Sequence, residues 1–274
     1  MKKKRLLRVA AVQLSSQDDK EQNIAKALEL IDEAKTLGAG LVVLPEMFNY
    51  YGTMGEMVKQ AEPVPGPTIN ALAQSARRNK LYLLCGSILE AAAAKGKGFN
   101  ASVMIGPGGD IIGIYRKIHL YDIDIPGKVR YKESEKILPG SEIITVNVDG
   151  WVVGLAICYD LRFPETFTAL HGKGAELILI PSAFSAHTGK DHWEVLLRAR
   201  AIENQAFVVA PNRLGTSPHN IATYGHSMII DPWGTVLAQA PDKVCLIHSV
   251  LDPGILEEVR KNLPMKREKT ASAT

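Results

Sequence analysis

The chain has 274 residues, 46% of them hydrophobic and 22% charged, with a formal net charge of +3. This is the profile of a soluble globular protein, long enough for one large α/β domain or two smaller ones. Part of the small positive excess lies in the terminal MKKKR and the tail MKREK, and no arginine-rich stripe with interleaved aromatics appears, so neither nucleic acid nor a membrane surface is an expected partner.

The basic N-terminus leads into no adequate apolar stretch before VAAVQLSSQDD turns polar, and no run approaches membrane-spanning length. The expectation is a cytoplasmic protein. The three cysteines, Cys85, Cys158 and Cys245, are odd in number, widely spaced and without a CxxC pair. That pattern supports neither a disulfide framework nor a zinc site. Cys85 and Cys245 lie inside apolar runs, which reads as core. Asn100-Ala101-Ser102 has the form of a glycosylation acceptor but reads as chance in a chain without a secretion signal.

In chain order, Leu6 to Leu14 reads as a strand. Asp18 and Asp19 can cap a helix from about Lys20 to Leu37. Its apolar positions Ile24, Leu28, Ile31 and Ala34 share one face, and Gly38 ends it. GAGLVVLPE is a short buried strand that closes on Pro45 and Glu46. The long connection MFNYYGTMGEMVKQAEPVPGP, rich in glycine, proline and aromatics, reads as a rim over a site. Thr68 to Asn79 is a second helix and LYLLCGSI a strand. NASVMI and DIIGIYRK, joined by GPGG, form a hairpin that closes on Lys117.

The second half repeats this order. WVVGLAICYD answers LLRVAAVQL, Pro164 to Gly172 is a short helix, and GAELILIPS answers GAGLVVLPE. Asp191 to Gln205 is a helix, AFVVAPN answers LYLLCGS, and SMIIDPWGTVLA is the second hairpin. Two β-α-β-α-β-β halves predict an α/β fold. It would be a four-layer αββα sandwich with pseudo-twofold symmetry, two sheets packed face to face with helices outside. One domain over residues 1–274 follows, with a C-terminal tail from about 253. No GxGxxG follows a strand, so a dinucleotide fold has no support.

Sites in open α/β sheets gather beyond the carboxyl ends of strands. Three ionisable residues stand there: Glu46, Lys117 and Cys158. Cys158 marks the corner where the apolar run from Trp151 stops and Pro164 opens a helix. Such a corner exposes a side chain, and a nearby helix N-terminus or cation favours thiolate. Each residue alone has a plain explanation: a buried small cysteine, a solvated glutamate, a solvated lysine. Together they suffice for amide hydrolysis without metal or cofactor. Cysteine is the nucleophile, glutamate the base and acid, and lysine the clamp on the developing oxyanion. Among the seven histidines, His119 and His192 lack the setting of a dedicated base. His119 follows Lys117 by two and is taken as support for the site.

These motifs resemble the nitrilase, or carbon–nitrogen hydrolase, superfamily over nearly the whole chain, from VAAVQL to DPWGTVLA. LVVLPEMF matches the family's glutamate motif, YRKIHLYD its lysine motif and GLAICYDLRFPE its cysteine motif. Glu133, in YKESEKILPG, matches a second glutamate. The resemblance implies the αββα fold, a cysteine thioester intermediate, an oxyanion held by Lys117 and the N–H of Tyr159, and a homodimer. The C-terminal stripe Ile255, Leu256, Val259 and Leu263 would contribute to that dimer. Tyr159-Asp160 after the cysteine, where nitrile-cleaving branches carry Trp-Glu, is similar to the Nit-type amidases. Their substrates are amides bearing carboxylates. Arg162 could hold such a carboxylate; the competing reading, an ion pair with Asp160 or Glu165, is the preferred one. Lys128 and Arg130 are alternative anion anchors. Tyr50, Tyr51, Phe184, Met228 and Trp193 are candidates for the pocket wall, Trp193 fitting the core better. A nitrile hydrolase or acyl transferase on the same scaffold, and a non-catalytic binding protein, are the rival readings.

Overall fold

The computed structural model describes residues 6–125 and 129–265. The first half runs β1 (Leu7–Gln13), α1 (Lys20–Thr36), β2 (Leu41–Val43), α2 (Met54–Lys59), α3 (Pro67–Asn79), β3 (Tyr82–Leu84), β4 (Ile88–Ala91), β5 (Gly98–Ile105) and β6 (Ile111–Arg116). A small hairpin, β7 (Asp122–Ile125) and β8 (Val129–Lys132), leads to a 3-10 turn at Glu133–Glu135. Then come β9 (Thr145–Val148), β10 (Trp151–Leu155), a 3-10 turn at Cys158–Arg162, α4 (Pro164–Gly172), β11 (Leu177–Leu179) and α5 (Ala186–Asn204). The chain finishes with β12 (Phe207–Ala210), β13 (Leu214–Thr216), β14 (Ala222–Tyr224), β15 (Met228–Ile230), β16 (Val236–Gln239), β17 (Cys245–Leu251) and α6 (Pro253–Asn262).

Two mixed sheets carry the fold. One is ordered β17-β1-β2-β3-β5-β4, with β6 also on β5; the other is ordered β16-β15-β12-β11-β10-β9. β1-β2-β3 and β10-β11-β12 are parallel, as helical crossovers require. Side chains alternate along β1. Val9 and Ala11 join the core between the sheets, and Ala10 and Val12 join the core under α1 and α3. On the second sheet, Phe167 and Leu170 of α4 and Trp193 and Leu197 of α5 complete the outer layer. The four-layer αββα sandwich is therefore the fold.

The repeat goes further than the sequence pattern. β9 closes the first half but pairs antiparallel with β10 of the second; β17 closes the second half and pairs antiparallel with β1, from Leu7 opposite Leu251 to Gln13 opposite Cys245. Each half gives its last strand to the other's sheet, so the halves are tied twice by ladder hydrogen bonds. Cys245, read as core, is half-buried on β17. The α6 stripe is covered within the chain at Leu256 and Val259 and exposed at Leu263.

Local signals explain most boundaries. The Asp19 side chain accepts from Gln22 N at the start of α1, and Pro67 and Pro164 open α3 and α4. The main departure is α5, which starts at Ala186, capped by Ser185, instead of Asp191. The polar stretch AHTGK hid this first turn. Gly189 within it lies against Tyr224, where an added Cβ would meet ring Cγ at 2.3 Å and Cβ at 2.4 Å. Mid-helix Gly→Ala ordinarily stabilises by about 1 kcal/mol. Here overpacking should reverse the sign, and Gly189→Ala should destabilise by about 1–3 kcal/mol. A melting curve for this variant at or above that of the parent would show that the α5–β14 contact is not this tight.

Candidate active site

Glu46 follows β2 by way of Leu44 and Pro45. The chain after β3 passes close beneath it, and Gly86 makes that passage possible. Gly86 has φ +68°, and an added Cβ would lie 2.0 Å from the Pro45 carbonyl oxygen. The Met47 N–H then donates to Ser87 Oγ at 3.1 Å. Three donors hold the Glu46 carboxylate. Asn100 Nδ2 reaches Oε1 at 2.8 Å, Lys117 Nζ reaches Oε1 at 3.1 Å, and the Ala183 N–H reaches Oε2 at 2.8 Å. Ala183 follows β11, so the second sheet helps to orient a side chain delivered by the first.

Lys117 lies just beyond β6, its N–H bonded to the Asn100 carbonyl and its own carbonyl accepting from Gly140 N. Its ammonium sits between two carboxylates, Glu46 and Glu133, the latter at 2.9 Å. Glu133, on the first 3-10 turn, also accepts from the Tyr121 N–H at 2.7 Å and from Asn100 Nδ2 at 3.3 Å. Relative exposures are 4%, 2% and 3% for Glu46, Lys117 and Glu133, so these charges must be met by one another. Burial alone would lower the Lys117 pKa. The Glu133 and Glu46 carboxylates outweigh it and hold the ammonium pKa well above its usual value.

Cys158 opens the second 3-10 turn in a left-handed conformation, φ +44°, its N–H donating to the Pro181 carbonyl at 3.0 Å. The conformation is uncommon for a residue with a Cβ and bends the chain sharply at the strand end. The thiol is not acidified, contrary to the expectation from the corner. Burial first, then the Glu46 charge and the hydrogen bond from the thiol to Glu46, hold its pKa well above the ordinary cysteine value; Lys117 pulls the other way. The physical reason is local: the thiol is buried against the Glu46 carboxylate, and a short 3-10 turn separates Cys158 from α4.

These residues line a cavity of about 440 Å³. Tyr51 and Phe184, wall candidates from the sequence, are on its wall, and so are Tyr159 and Arg162. The rim segment contributes Met54 and Met57 from α2, and the β13–β14 connection contributes Asn220 and Ile221. The preferred ion pair of Arg162 with Asp160 or Glu165 does not form. The Arg162 guanidinium bonds to Thr188 Oγ1 at 3.3 Å and meets His192 Nδ1 at 3.2 Å, and it lies over the Phe184 ring at 5.1 Å. Thr188 is in the unforeseen first turn of α5, which is why its partner was missed.

His119 does not line the cavity. Its Nδ1 meets Asp160 Oδ1 at 2.9 Å, and its ring stacks on Phe163 at 3.7 Å. Trp193 and Met228 are core residues, and Tyr50 packs against the apolar cluster beside the rim. Lys128 lies outside the described residues, as does the side chain of Arg130. Sequence reasoning missed Asn100 as a site residue. Its place in an apparent glycosylation motif obscured it, yet it is fully buried on β5 with its amide turned to two carboxylates. Tyr121 and Tyr131, also on the wall, had no local signal.

The sequence profile described as carbon-nitrogen hydrolase matches residues 8–261. The chain is similar to a deaminated glutathione amidase of Synechocystis sp. (strain PCC 6803 / GT-S), 40% identical over 258 residues, which are 93% of this chain and 95% of that protein. It is similar to omega-amidase NIT2 of Homo sapiens, 38% identical over 262 residues, 96% of this chain and 94% of that protein. Among solved structures it is similar to Saccharomyces cerevisiae Nit3, a member of branch 10 of the nitrilase superfamily. That similarity has TM-score 0.89 and 32% identity, and it covers 97% of each chain. The chain belongs to the carbon–nitrogen hydrolase family and is a hydrolase acting on C–N bonds.

The thiol's environment has a measurable consequence. Glu46→Gln removes a negative neighbour and leaves Lys117 in place, so the Cys158 pKa should fall. The pH dependence of Cys158 alkylation by iodoacetamide, followed peptide by peptide, should shift to lower pH in Glu46→Gln. An unchanged or higher midpoint would mean that Glu46 does not govern the thiol.

Proposed function

We propose that the protein is a thiol amidohydrolase that cleaves small carboxylated amides through a thioester on Cys158. The observation that carries this reading is the buried Lys117 ammonium, held between Glu46 and Glu133 beside a thiol that hydrogen-bonds to Glu46. Glu46 takes the Cys158 proton as sulfur attacks the amide carbon. The oxyanion that develops faces the Lys117 ammonium and the Tyr159 N–H, fixed charges in a site shielded from water. Glu133 keeps Lys117 aimed. Collapse of the tetrahedral intermediate breaks the C–N bond, and Glu46 returns its proton to the leaving amine. Water then attacks the thioester, Glu46 takes its proton, and the carboxylic acid leaves as the thiol regains a proton. No step changes the total charge of the buried cluster, which keeps each transfer inexpensive in a low-dielectric site.

The substrate class follows from the wall. Among the described lining residues, Arg162 is the cation not tied to a carboxylate. Thr188 and His192 fix its guanidinium, and aromatic rings flank it. Such a group suits a planar carboxylate at the far end of a short acyl chain. An omega-amide of a 2-oxo dicarboxylic acid fits, as does an amide of the deaminated glutathione type. The names of the similar amidases support this class. A carboxylated amide should exceed its methyl-terminated analogue in kcat/KM by about a hundredfold or more, because the analogue leaves the cation unpaired. Arg162→Met should remove most of that preference and leave the analogue's rate little changed. Equal rates for the two amides in the parent enzyme, or faster turnover of a simple nitrile, would assign the chain to another branch.

A further inference from the structure

We infer that Asp160 is a positioning residue that sets the lysine against the nucleophile, the clamp through which the two sheets place Lys117 and Cys158 in register. The inference rests on the reading of Lys117 as the oxyanion clamp. Asp160 is fully buried, two residues beyond Cys158 on the 3-10 turn of the second sheet. Its Oδ2 accepts from the Ile157 N–H at 2.9 Å, which fixes the residue just before the nucleophile. The same oxygen accepts from Tyr115 Oη at 2.7 Å. Its Oδ1 accepts from the His119 N–H at 3.0 Å and meets His119 Nδ1 at 2.9 Å.

Tyr115, on β6, and His119, just beyond it, flank Lys117 by two residues on either side, so both belong to the first-sheet segment that delivers the lysine. Lys117 is therefore the top of an arch with both feet on one carboxylate. Burial, together with the Asp160 charge, holds the Tyr115 phenol pKa well above its usual value, so it remains a donor. His119 is itself braced, its ring stacked on Phe163 at 3.7 Å with the planes 8° apart. A buried carboxylate with this many directed donors is a costly way to join two segments if only cohesion were needed; apolar contacts would serve. Its distinguishing property is direction: three hydrogen-bond vectors fix the arch and a fourth fixes Ile157, where dispersion contacts would let the two slide.

The test measures kcat and KM for an activated p-nitrophenyl ester of a carboxylated acid, which stays measurable in impaired variants. Asp160→Asn is made in the parent and in the Lys117→Met background, with melting curves for each. If Asp160 acts through Lys117, Asp160→Asn lowers kcat by about ten- to a hundredfold in the parent with KM little changed, the size expected for a misplacement of about 1 Å. In Lys117→Met the same change then lowers kcat by less than about twofold, because members of one unit are not additive. Equal fold losses in both backgrounds would overturn the clamp and leave a general structural role. Undiminished kcat in Lys117→Met alone would instead refute the reading of the lysine, and the inference with it. Tyr115→Phe removes one foot and keeps its ring, and His119→Phe removes the imidazole contact of the other foot while the His119 N–H stays bonded to Asp160 Oδ1. Each should lower kcat about tenfold in the parent by the same misplacement argument, which keeps the test decisive if Asp160→Asn fails to fold. Unchanged kcat in both would overturn the clamp.

Discussion

Everything at the site depends on one buried ammonium between two buried carboxylates. Lys117 could not lie 2% exposed without them, nor could Glu46 and Glu133 remain together without it. The three arrive from separate segments: the end of β2, the end of β6 and the turn after β8. Asn100 on β5 ties the two carboxylates to each other. The second sheet supplies the thiol and the Ala183 N–H that fixes the outer oxygen of Glu46. Unless the sheets pack in one register, the thiol and the Ala183 N–H do not meet the charges. The exchange of β9 and β17 between halves makes that packing hard to shift, because each sheet is completed by a strand of the other half.

The same cluster explains why a poorly acidic thiol suits this site. A cysteine acidified by a helix terminus would stand as thiolate beside Glu46, two negative charges in a buried site. Here burial and the Glu46 carboxylate hold the thiol pKa well above its usual value. In the proposed mechanism, Glu46 is already bonded to the thiol whose proton it takes. In the same proposal the ammonium, kept charged by its carboxylates, meets the oxyanion without rearrangement. Preorganised electrostatic stabilisation of this kind is usually the largest single contribution to such catalysis.

Much of this is legible in the sequence because strand ends and turn chemistry leave local marks. Glu46, Lys117 and Cys158 each follow an apolar run directly, and Pro164 announces α4. The order of the repeat is visible because glycine, proline and apolar runs recur in step. What stayed hidden depends on long-range contacts. Nothing in KVCLIHSV says that it pairs with LRVAAVQ more than two hundred residues away, and its apolar letters read as core although Cys245 is half-buried. Asn100 looks like any strand asparagine until Glu46 and Glu133 are folded onto it. Arg162 has acidic neighbours in sequence, yet Asp160 is already saturated by Tyr115, His119 and Ile157. The guanidinium therefore turns to α5 and the cavity.

The central claim is that one ion cluster both holds the site together and does its chemistry. Lys117→Met and the double variant Lys117→Met/Glu133→Gln test it most directly, with unfolding free energy and turnover measured on each. Lys117→Met leaves two buried carboxylates without their cation and should destabilise the protein by about 3–5 kcal/mol. Glu133→Gln in that background removes one stranded charge, so the double variant should regain much of the stability while turnover stays abolished. A double variant no more stable than Lys117→Met, or one that regains turnover with its stability, would contradict the account.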